Sequence, residues 1–217
     1  MSKVRVTLKL ATSLDGKIAL ANGDSEWVTG EAARRAGRRL RAEHDGIAIG
    51  SNTAVIDNPQ LTTRISDLPN PTRIVFDTRL RLDPASNLAQ TANDVPVILL
   101  TGEGADDHDN LSSLGVTLIT IPREAGHICI PAALDALSRM GITTLLLEGG
   151  GQLAAAFLRA GVIDTLEWFT APILIGGDGR PCIAALELGR MSETLRFERV
   201  LLEELGPDLH ERFERVA

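Results

Sequence analysis

The sequence of 217 residues has no tyrosine and only two cysteines, Cys129 and Cys182. Two cysteines cannot build the disulfide framework of a small secreted protein. No apolar run approaches the roughly 18 residues that a membrane span needs, and the N-terminus has no unbroken apolar segment typical of a signal peptide. We therefore expect a cytoplasmic protein that does not bind membranes.

Basic residues are also in deficit, because 22 Lys and Arg face 29 Asp and Glu and leave a net charge of −7. General binding to DNA or RNA needs a basic surface that neutralises phosphates, so we expect no nucleic-acid partner. HExxH, CxxC, GxSxG, GxxxxGK[ST] and GxGxxG are all missing, which excludes the common signatures for zinc proteases, redox dithiols, hydrolases, P-loop enzymes and dinucleotide binding. The four histidines lack metal-ligand spacing, and Cys182 has no partner for a zinc deaminase site, so we expect no metal.

What the sequence does contain is an alternation of apolar β-branched runs with helical segments. VRVTLKL (4–10) alternates with period two, whereas GIAIG (46–50), TRIVFD (72–77) and VPVILLT (95–101) are apolar runs bounded by turn residues. Alternating β and α segments predict an α/β fold with a mostly parallel central sheet, and the three C-terminal strands predict an antiparallel edge. No repeat or low-complexity linker interrupts the chain, so we expect one domain over residues 1–217.

The strongest local motif is Glu148-Gly149-Gly150-Gly151, which joins an apolar strand to a helix of small residues. Glycine lets a backbone approach a ligand closely, and the amides at a helix start attract phosphate. A carboxylate at the end of a parallel strand faces the crevice where such sheets bind ligands. The alternative is a glycine-rich turn beside a solvated acid.

Three weaker candidates accompany it. In TAVIDNPQLTTR (53–64), we expect a short helix that places Asp57 in a cleft and a following segment in which Arg64 holds an anion. Taken alone, this segment is explained more simply as a capped helix followed by an ordinary turn. Lys9 lies on the strand face opposite Val4, Val6 and Leu8, where it either meets water or serves a pocket. Ser25 and Trp27 lie in a turn-rich segment, where a tryptophan either stacks on a ring or fills the core.

Taken together, these segments resemble the pyrimidine reductase of riboflavin biosynthesis, which is usually the C-terminal half of a bifunctional deaminase–reductase. The segments that carry the resemblance are KLATSLDGKIA (9–19), SEWVTGEAAR (25–34), Arg41-Ala42, TAVIDNPQLTTR (53–64), RIVFDTRLRL (73–82), LLLEGGGQLAAAFL (145–158) and APILIGG (171–177). The resemblance implies a dihydrofolate-reductase-like, three-layer αβα fold, NADPH as the cofactor and a homodimer. No deaminase segment precedes the matching region, so we expect a stand-alone reductase domain, and whether its pyrimidine is already deaminated stays open.

The same resemblance implies roles for individual residues. The implied NADPH contacts are Ala11, Trp27, Thr53, Asp57, Thr78, Gly150, Gly151, Gln152, Leu153, Ala154, Ala155 and Ala156. The implied contacts to a phosphorylated aminopyrimidine are Lys9, Ser25, Thr29, Arg41, Leu61, Arg64 and Glu148. Arg79, next to Thr78, is a reasonable partner for the 2′-phosphate of NADPH.

The expected reaction reduces the ribosyl group of a 5-amino-6-(5-phosphoribosylamino)uracil-type pyrimidine to the ribitylamino compound. Asp57, Lys9 and Glu148 are the candidate catalytic residues, with Lys9 or Asp57 assisting the proton transfer. Two alternatives remain at this point. One is an NADPH reductase on the same scaffold that acts on dihydrofolate or another heterocycle, and the other is a non-catalytic protein that binds a nucleotide or a flavin.

Overall fold

Regular structure follows the apolar runs and turn residues of the sequence. The computed structural model describes residues 3–26, 28–107 and 110–216. The helices are α1 (Glu31–Ala42), α2 (Ser51–Asp57), α3 (Asn87–Gln90), α4 (Ile130–Arg139) and α5 (Gly151–Arg159). The strands are β1 (Arg5–Thr12), β2 (Lys17–Ala19), β3 (Gly46–Gly50), β4 (Thr72–Phe76), β5 (Val97–Gly102), β6 (Thr117–Ile121), β7 (Arg123–Glu124), β8 (His127–Ile128), β9 (Thr144–Leu147), β10 (Thr165–Thr170), β11 (Arg180–Pro181), β12 (Phe197–Leu205) and β13 (Asp208–Arg215).

These elements belong to two compact units, residues 1–5 with 38–149 and residues 6–37 with 150–217. In the first unit β9, β3, β4, β5 and β6 lie side by side in that order and run parallel. Ile47, Ile74 and Leu99 on three of these strands are fully buried, as expected for parallel strands that are covered on both faces. Since parallel strands end at the same edge, the residues that follow β9, β3 and β4 lie along one edge of this sheet.

The second unit contains the antiparallel strands. Here β10 pairs in parallel with β1 and antiparallel with β13, which pairs antiparallel with β12. Val6, Leu8 and Leu10 of β1 are buried, whereas Lys9 and Ala11 point to the opposite face and are half-buried. The alternation in the sequence of β1 therefore separates a core face from a face that can meet a ligand.

The predicted α/β class, with mostly parallel strands and antiparallel C-terminal strands, is confirmed. Helix α1 begins at Glu31, after Gly30, whose amide donates a 2.6 Å hydrogen bond to Asp208 Oδ2. Thr29, just before Gly30, is buried. The single domain over residues 1–217 stays a prediction.

The residues that the structure describes contain neither a candidate membrane span nor a candidate metal cluster. No helix there combines the length and the apolar character that crossing a membrane requires. Within the same ranges, no three His, Cys, Asp or Glu side chains are grouped so that they could hold a metal ion. Cys129 and Cys182 are both free thiols.

Asp15 fixes a loop of the second unit. Its carboxylate accepts hydrogen bonds from Ser13 Oγ at 2.6 Å, from the Ile175 amide at 3.1 Å and from the Gly176 amide at 2.7 Å. The Ser13 hydrogen bond, followed by the two amides, lowers the pKa of Asp15 from 3.8 to about 2. The ionised carboxylate thus joins the turn after β1 to the segment after β10.

We expect Asp15→Asn to lower the melting temperature at neutral pH and to lose this effect in acid. The folded-state pKa of Asp15 lies below its unfolded value of 3.8, so its contribution is complete above that value and disappears as the pH falls toward 2. The measurement is the difference in melting temperature between wild type and variant from pH 7 to pH 2.5. A difference that stayed constant across this range would contradict the assignment.

Candidate active site

The residues that the sequence singles out fall into one set in each unit. The first unit holds Arg41, Thr53, Asp57, Leu61, Arg64, Thr78 and Glu148. The second unit holds Lys9, Ala11, Ser25, Thr29, Gly150, Gly151, Gln152, Leu153, Ala154, Ala155 and Ala156. Trp27 lies outside the described residues.

Arg41 and Glu148 form an ion pair in the first unit. Arg41, in the last turn of α1, donates from Nε to Glu148 Oε1 at 2.9 Å and from Nη2 to Oε2 at 2.8 Å. Only 16% of the Arg41 side chain and 13% of the Glu148 side chain are exposed. Burial acts to lower the pKa of Arg41, but the charge of Glu148 and its hydrogen bonds outweigh burial and raise it. Arg41 therefore fixes the orientation of the carboxylate at the end of β9.

The backbone between α2 and β4 is strained. Asn58, Leu61 and Arg64 all have left-handed backbone angles, with φ of 40°, 56° and 51°. Such angles are unfavourable for leucine and arginine, and several in one short segment persist only where the surroundings impose them. Leu61 is buried and Arg64 is exposed, so the segment presents the Arg64 guanidinium to solvent.

Two arginines impose this conformation by holding carbonyl groups of the segment. Arg41 Nη1 donates to the Thr62 carbonyl at 2.8 Å, and the fully buried Arg73 donates from Nη1 to the Gln60 carbonyl at 3.3 Å. Sequence reasoning missed Arg73; the available signal was a charged residue inside the apolar run TRIVF. The ion pair and the strained segment are thus linked through Arg41.

Gly149, two residues after β9, packs against Thr53 of α2. Its φ of +112° suits glycine alone, and a Cβ at this position would lie 3.1 Å from Thr53 Oγ1 and 3.7 Å from Ile49. The predicted cofactor contact Thr53 is therefore packed against the glycine turn. Asp57 is the last residue of α2 and is exposed.

Lys9 has an unusual setting in the second unit. Its Nζ lies 5.7 Å from the centroid of the Phe169 ring, within the range of a cation–π contact. A Cβ on Gly37 of α1 would be 3.2 Å from Lys9 Cε, so the missing side chain leaves space for the lysine. Lys9 is also opposite Glu167 in the β1–β10 register.

The buried Glu167 carboxylate organises this face of the sheet. Glu167 Oε1 accepts a 2.5 Å hydrogen bond from Arg212 Nε, and Glu167 Oε2 lies 2.6 Å from His210 Nε2. The His210 ring stacks on Phe169 with centroids 4.3 Å apart. Sequence reasoning missed this cluster, since nothing local in the sequence connects residues more than 40 positions apart.

The start of α5 provides a place for an anionic group. Gly150 precedes the helix, and no side chain caps it. The first N–H groups of a helix have no partner within it, and they carry partial positive charge toward an anion such as a pyrophosphate. Gly151 has another reason to be glycine, because a Cβ there would lie 2.6 Å from the Pro181 carbonyl oxygen. The uncapped start and the glycines fit the phosphate part of a nicotinamide cofactor.

The remaining predicted residues have simpler surroundings. Ser25 is exposed in a turn, and the Thr29 carbonyl accepts a 2.7 Å hydrogen bond from Arg34 Nη1. Thr78 follows β4, and its carbonyl accepts hydrogen bonds from the Gly102 amide at 3.2 Å and from Arg123 Nη2 at 3.1 Å. Arg123 was not anticipated from the sequence.

Known proteins resemble this chain in sequence and in fold. Residues 4–210 match the family model described as the RibD C-terminal domain. The riboflavin biosynthesis protein RibD of Bacillus amyloliquefaciens is 37% identical over 208 residues, which are 94% of this chain and 55% of that protein. The chain thus spans about half the length of this relative.

A pyrimidinone phosphate reductase and a solved RibD structure are also similar to this chain. The 2,5-diamino-6-ribosylamino-4(3H)-pyrimidinone 5′-phosphate reductase of Methanothermobacter thermautotrophicus is 33% identical over 208 residues, which are 94% of each chain. A solved structure of Acinetobacter baumannii RibD superposes with a TM-score of 0.86 at 30% identity, covering 99% of this chain and 59% of that one. The predicted dihydrofolate-reductase-like fold is confirmed. Since the family model matches nearly the whole sequence, this chain belongs to the RibD C-terminal domain family.

Proposed function

We propose that this chain is an NADPH-dependent reductase that converts a ribosylamino-pyrimidine 5′-phosphate into the ribitylamino compound in riboflavin biosynthesis. The observation that carries the proposal is the match over 94% of both chains to the archaeal protein named as a reductase of such a pyrimidine. The Arg41–Glu148 pair supports it, because it holds a carboxylate in place at the end of a parallel strand, where ligands bind in open α/β sheets.

Glu148 is the residue that we assign to the aminopyrimidine ring. An oriented carboxylate accepts hydrogen bonds from amino and ring N–H groups, and Arg41 fixes that orientation with two hydrogen bonds. The Arg64 guanidinium, exposed by the left-handed backbone at its position, is assigned to the substrate phosphate. Lys9 is assigned to the sugar or its phosphate.

The cofactor contributes a hydride, and the chain contributes binding, orientation and a proton. The amides at the start of α5 are assigned to the pyrophosphate, and Thr53 and Thr78 to other parts of the nucleotide. Reduction requires the ribose ring to open, so that its first carbon is available and the former ring oxygen takes up a proton. Asp57 or Lys9 assists that proton transfer, directly or through a water molecule.

The proposal is tested by following NADPH absorbance with each of three compounds: the diaminopyrimidinone ribosyl phosphate, its deaminated uracil counterpart, and dihydrofolate. Oxidation of NADPH with either pyrimidine and not with dihydrofolate is the expected result. Turnover of dihydrofolate alone would indicate a different reductase. Binding of NADPH without turnover of any of the three would indicate a non-catalytic protein.

Replacing Arg64 with Ala is expected to raise the KM for the pyrimidine phosphate by about 10-fold or more, because a charged hydrogen bond contributes about 1.5–3 kcal/mol. The KM for NADPH and kcat should change little. Steady-state kinetics with each substrate varied in turn provides the measurement, and Arg139→Gln on the exposed side of α4 is a matched control. An unchanged KM for the pyrimidine would refute the phosphate assignment.

We further propose that the protein is a cytoplasmic homodimer that pairs through β12. Val200 and Leu202 are about half exposed, and Leu201 is 37% exposed, on a strand whose free edge has no neighbour among the described residues. Exposed apolar residues along an edge strand are typical of an interface. Sedimentation should give a mass near twice 23.2 kDa for wild type and a smaller mass for Val200→Glu/Leu202→Glu. A monomeric wild type would contradict this proposal.

A further inference from the structure

Arginines gather at one edge of the parallel sheet in the first unit. The strands β3, β4 and β5 are parallel neighbours, so the segments that follow them share an edge. Arg79 and Arg81 follow β4 and are exposed, and Arg123 lies against Gly102 at the end of β5. In a chain with a net charge of −7, three guanidinium groups at one strand edge indicate a site for an anion.

Arg123 packs against Gly102 in a position that a larger residue would block. A Cβ on Gly102 would lie 2.2 Å from Arg123 Nε, 3.0 Å from its Cζ and 3.0 Å from Thr78 Cγ2, so the arginine occupies most of the space of the missing side chain. The backbone of Gly102 is ordinary strand and does not itself require glycine. Arg123 Nη2 donates to the Thr78 carbonyl at 3.1 Å, which places its guanidinium beside a predicted cofactor contact.

Arg81 connects the same edge to α2. Its Nη2 donates to Ser51 Oγ and to Asn52 Oδ1, both at 2.6 Å. Ser51 and Asn52 immediately precede Thr53, the other predicted cofactor contact on this side. The Arg81 side chain is 45% exposed, so it remains accessible to a ligand while it bonds to the helix.

The carboxylate that follows β4 is buried and does not face a ligand. NAD sites use a carboxylate after a strand to bind the ribose 2′-hydroxyl, whereas NADP sites use arginine for the 2′-phosphate. Asp77 is 1% exposed; its Oδ2 accepts hydrogen bonds from the Arg81 and Leu82 amides at 2.6 and 2.9 Å, and its Oδ1 lies 4.0 Å from Arg81 Nε. Among the described residues Arg123 forms no ion pair, so its charge is available to a phosphate.

We propose that Arg123, which packs against Gly102, binds the adenosine 2′-phosphate together with Arg81, and that this contact selects NADPH over NADH. This inference rests on the proposed reductase function and adds the residue that sets cofactor choice. Arginine suits this task because its planar donor group forms two hydrogen bonds to a phosphate at once. Arg79, which the sequence favoured for the same phosphate, is exposed in the turn after β4.

The test compares binding of 2′,5′-ADP and 5′-AMP by isothermal titration calorimetry, since the two differ only in the 2′-phosphate. Wild type should bind 2′,5′-ADP more tightly. Arg123→Gln should weaken 2′,5′-ADP binding by about 10-fold or more, as expected for a charged hydrogen bond, and leave 5′-AMP binding unchanged. Gly102→Ala should act in the same direction, because its Cβ displaces the arginine without removing its charge. The kcat/KM ratio for NADPH over NADH should fall in both variants.

Controls and contrary outcomes separate this proposal from the reductase function itself. Arg139→Gln, an exposed arginine on α4, should change neither binding constant. Circular dichroism and melting curves check that each variant is folded. If Gly102→Ala does not fold, the comparison of Arg123→Gln with wild type decides whether the proposal holds. A selective loss in Arg79→Gln with none in Arg123→Gln would overturn the proposal. Equal affinity of wild type for the two nucleotides, with pyrimidine reduction by NADH intact, would overturn it and leave the reductase function standing.

Discussion

Replacing Glu148 with Gln is expected to lower kcat/KM for the pyrimidine by about 100-fold or more, because each charged hydrogen bond contributes about 1.5–3 kcal/mol and the carboxylate forms several. The substitution keeps the shape of the side chain but removes the charge that faces Arg41 at 2.8 Å. An amide also has only one oxygen acceptor, so the second hydrogen bond from Arg41 is lost. The KM for NADPH should change far less, since the cofactor is assigned to other residues. Steady-state kinetics and direct NADPH binding provide the measurements.

Loss of stability must be separated from loss of chemistry in this experiment. Glu148→Gln leaves a largely buried Arg41 without its charge partner, which is expected to destabilise the fold by about 3–5 kcal/mol. The double variant Arg41→Met/Glu148→Gln removes both charges and should recover part of that stability while remaining inactive. Glu43→Gln, an exposed acid just after α1, is the matched control. Near-normal kcat/KM in folded Glu148→Gln would show that the ion pair is only structural.

Replacing Asp57 with Asn is expected to lower kcat by about 100-fold or more, the usual effect of removing a group that transfers a proton. Asp57 ends α2 and is exposed, and Asn58 after it turns the chain with a φ of 40°. Asn retains the size and hydrogen-bonding ability of Asp, so the affinity for NADPH should change little. Single-turnover kinetics and cofactor titration separate the two quantities.

The outcome for Asp57 also decides between the two candidates for the proton transfer. Lys9→Met should lower kcat to a similar extent if the lysine is the group that assists, and should mainly raise the KM for the pyrimidine if it only binds substrate. Asp135→Asn, on the exposed side of α4, serves as the control. Unchanged kcat in Asp57→Asn would exclude the carboxylate from the chemical step.

Much of the fold follows directly from local sequence patterns. Apolar runs such as GIAIG and TRIVF form buried parallel strands because they need no polar face, and the alternation of β1 separates Val6 and Leu8 from Lys9. Shorter elements were not predicted: β7, β8 and β11 have two residues each, and α3 has four. Segments this short carry no measurable periodicity, and their conformation depends on the residues that pack against them.

The site was predictable as a set of residues and not as an arrangement. The glycine motif marked the turn after β9, but the pairing of Arg41 with Glu148 joins residues 107 positions apart. Likewise, Arg73 holds the Gln60 carbonyl because the arginine is fully buried. The position of the Arg123 side chain depends on the absence of a side chain at Gly102. Such relationships depend on how distant segments meet, which local propensity does not encode.

The reaction itself is tested most directly with NADPH that carries deuterium in place of both hydrogens on the reactive nicotinamide carbon. We predict a ribitylamino product that is heavier by one deuterium than the product made with ordinary NADPH, with the label on the first carbon of the ribityl chain. Mass spectrometry and NMR of the purified product give the number and the position of the label. Consumption of NADPH with no deuterium on that carbon would contradict the proposed hydride transfer to the opened sugar.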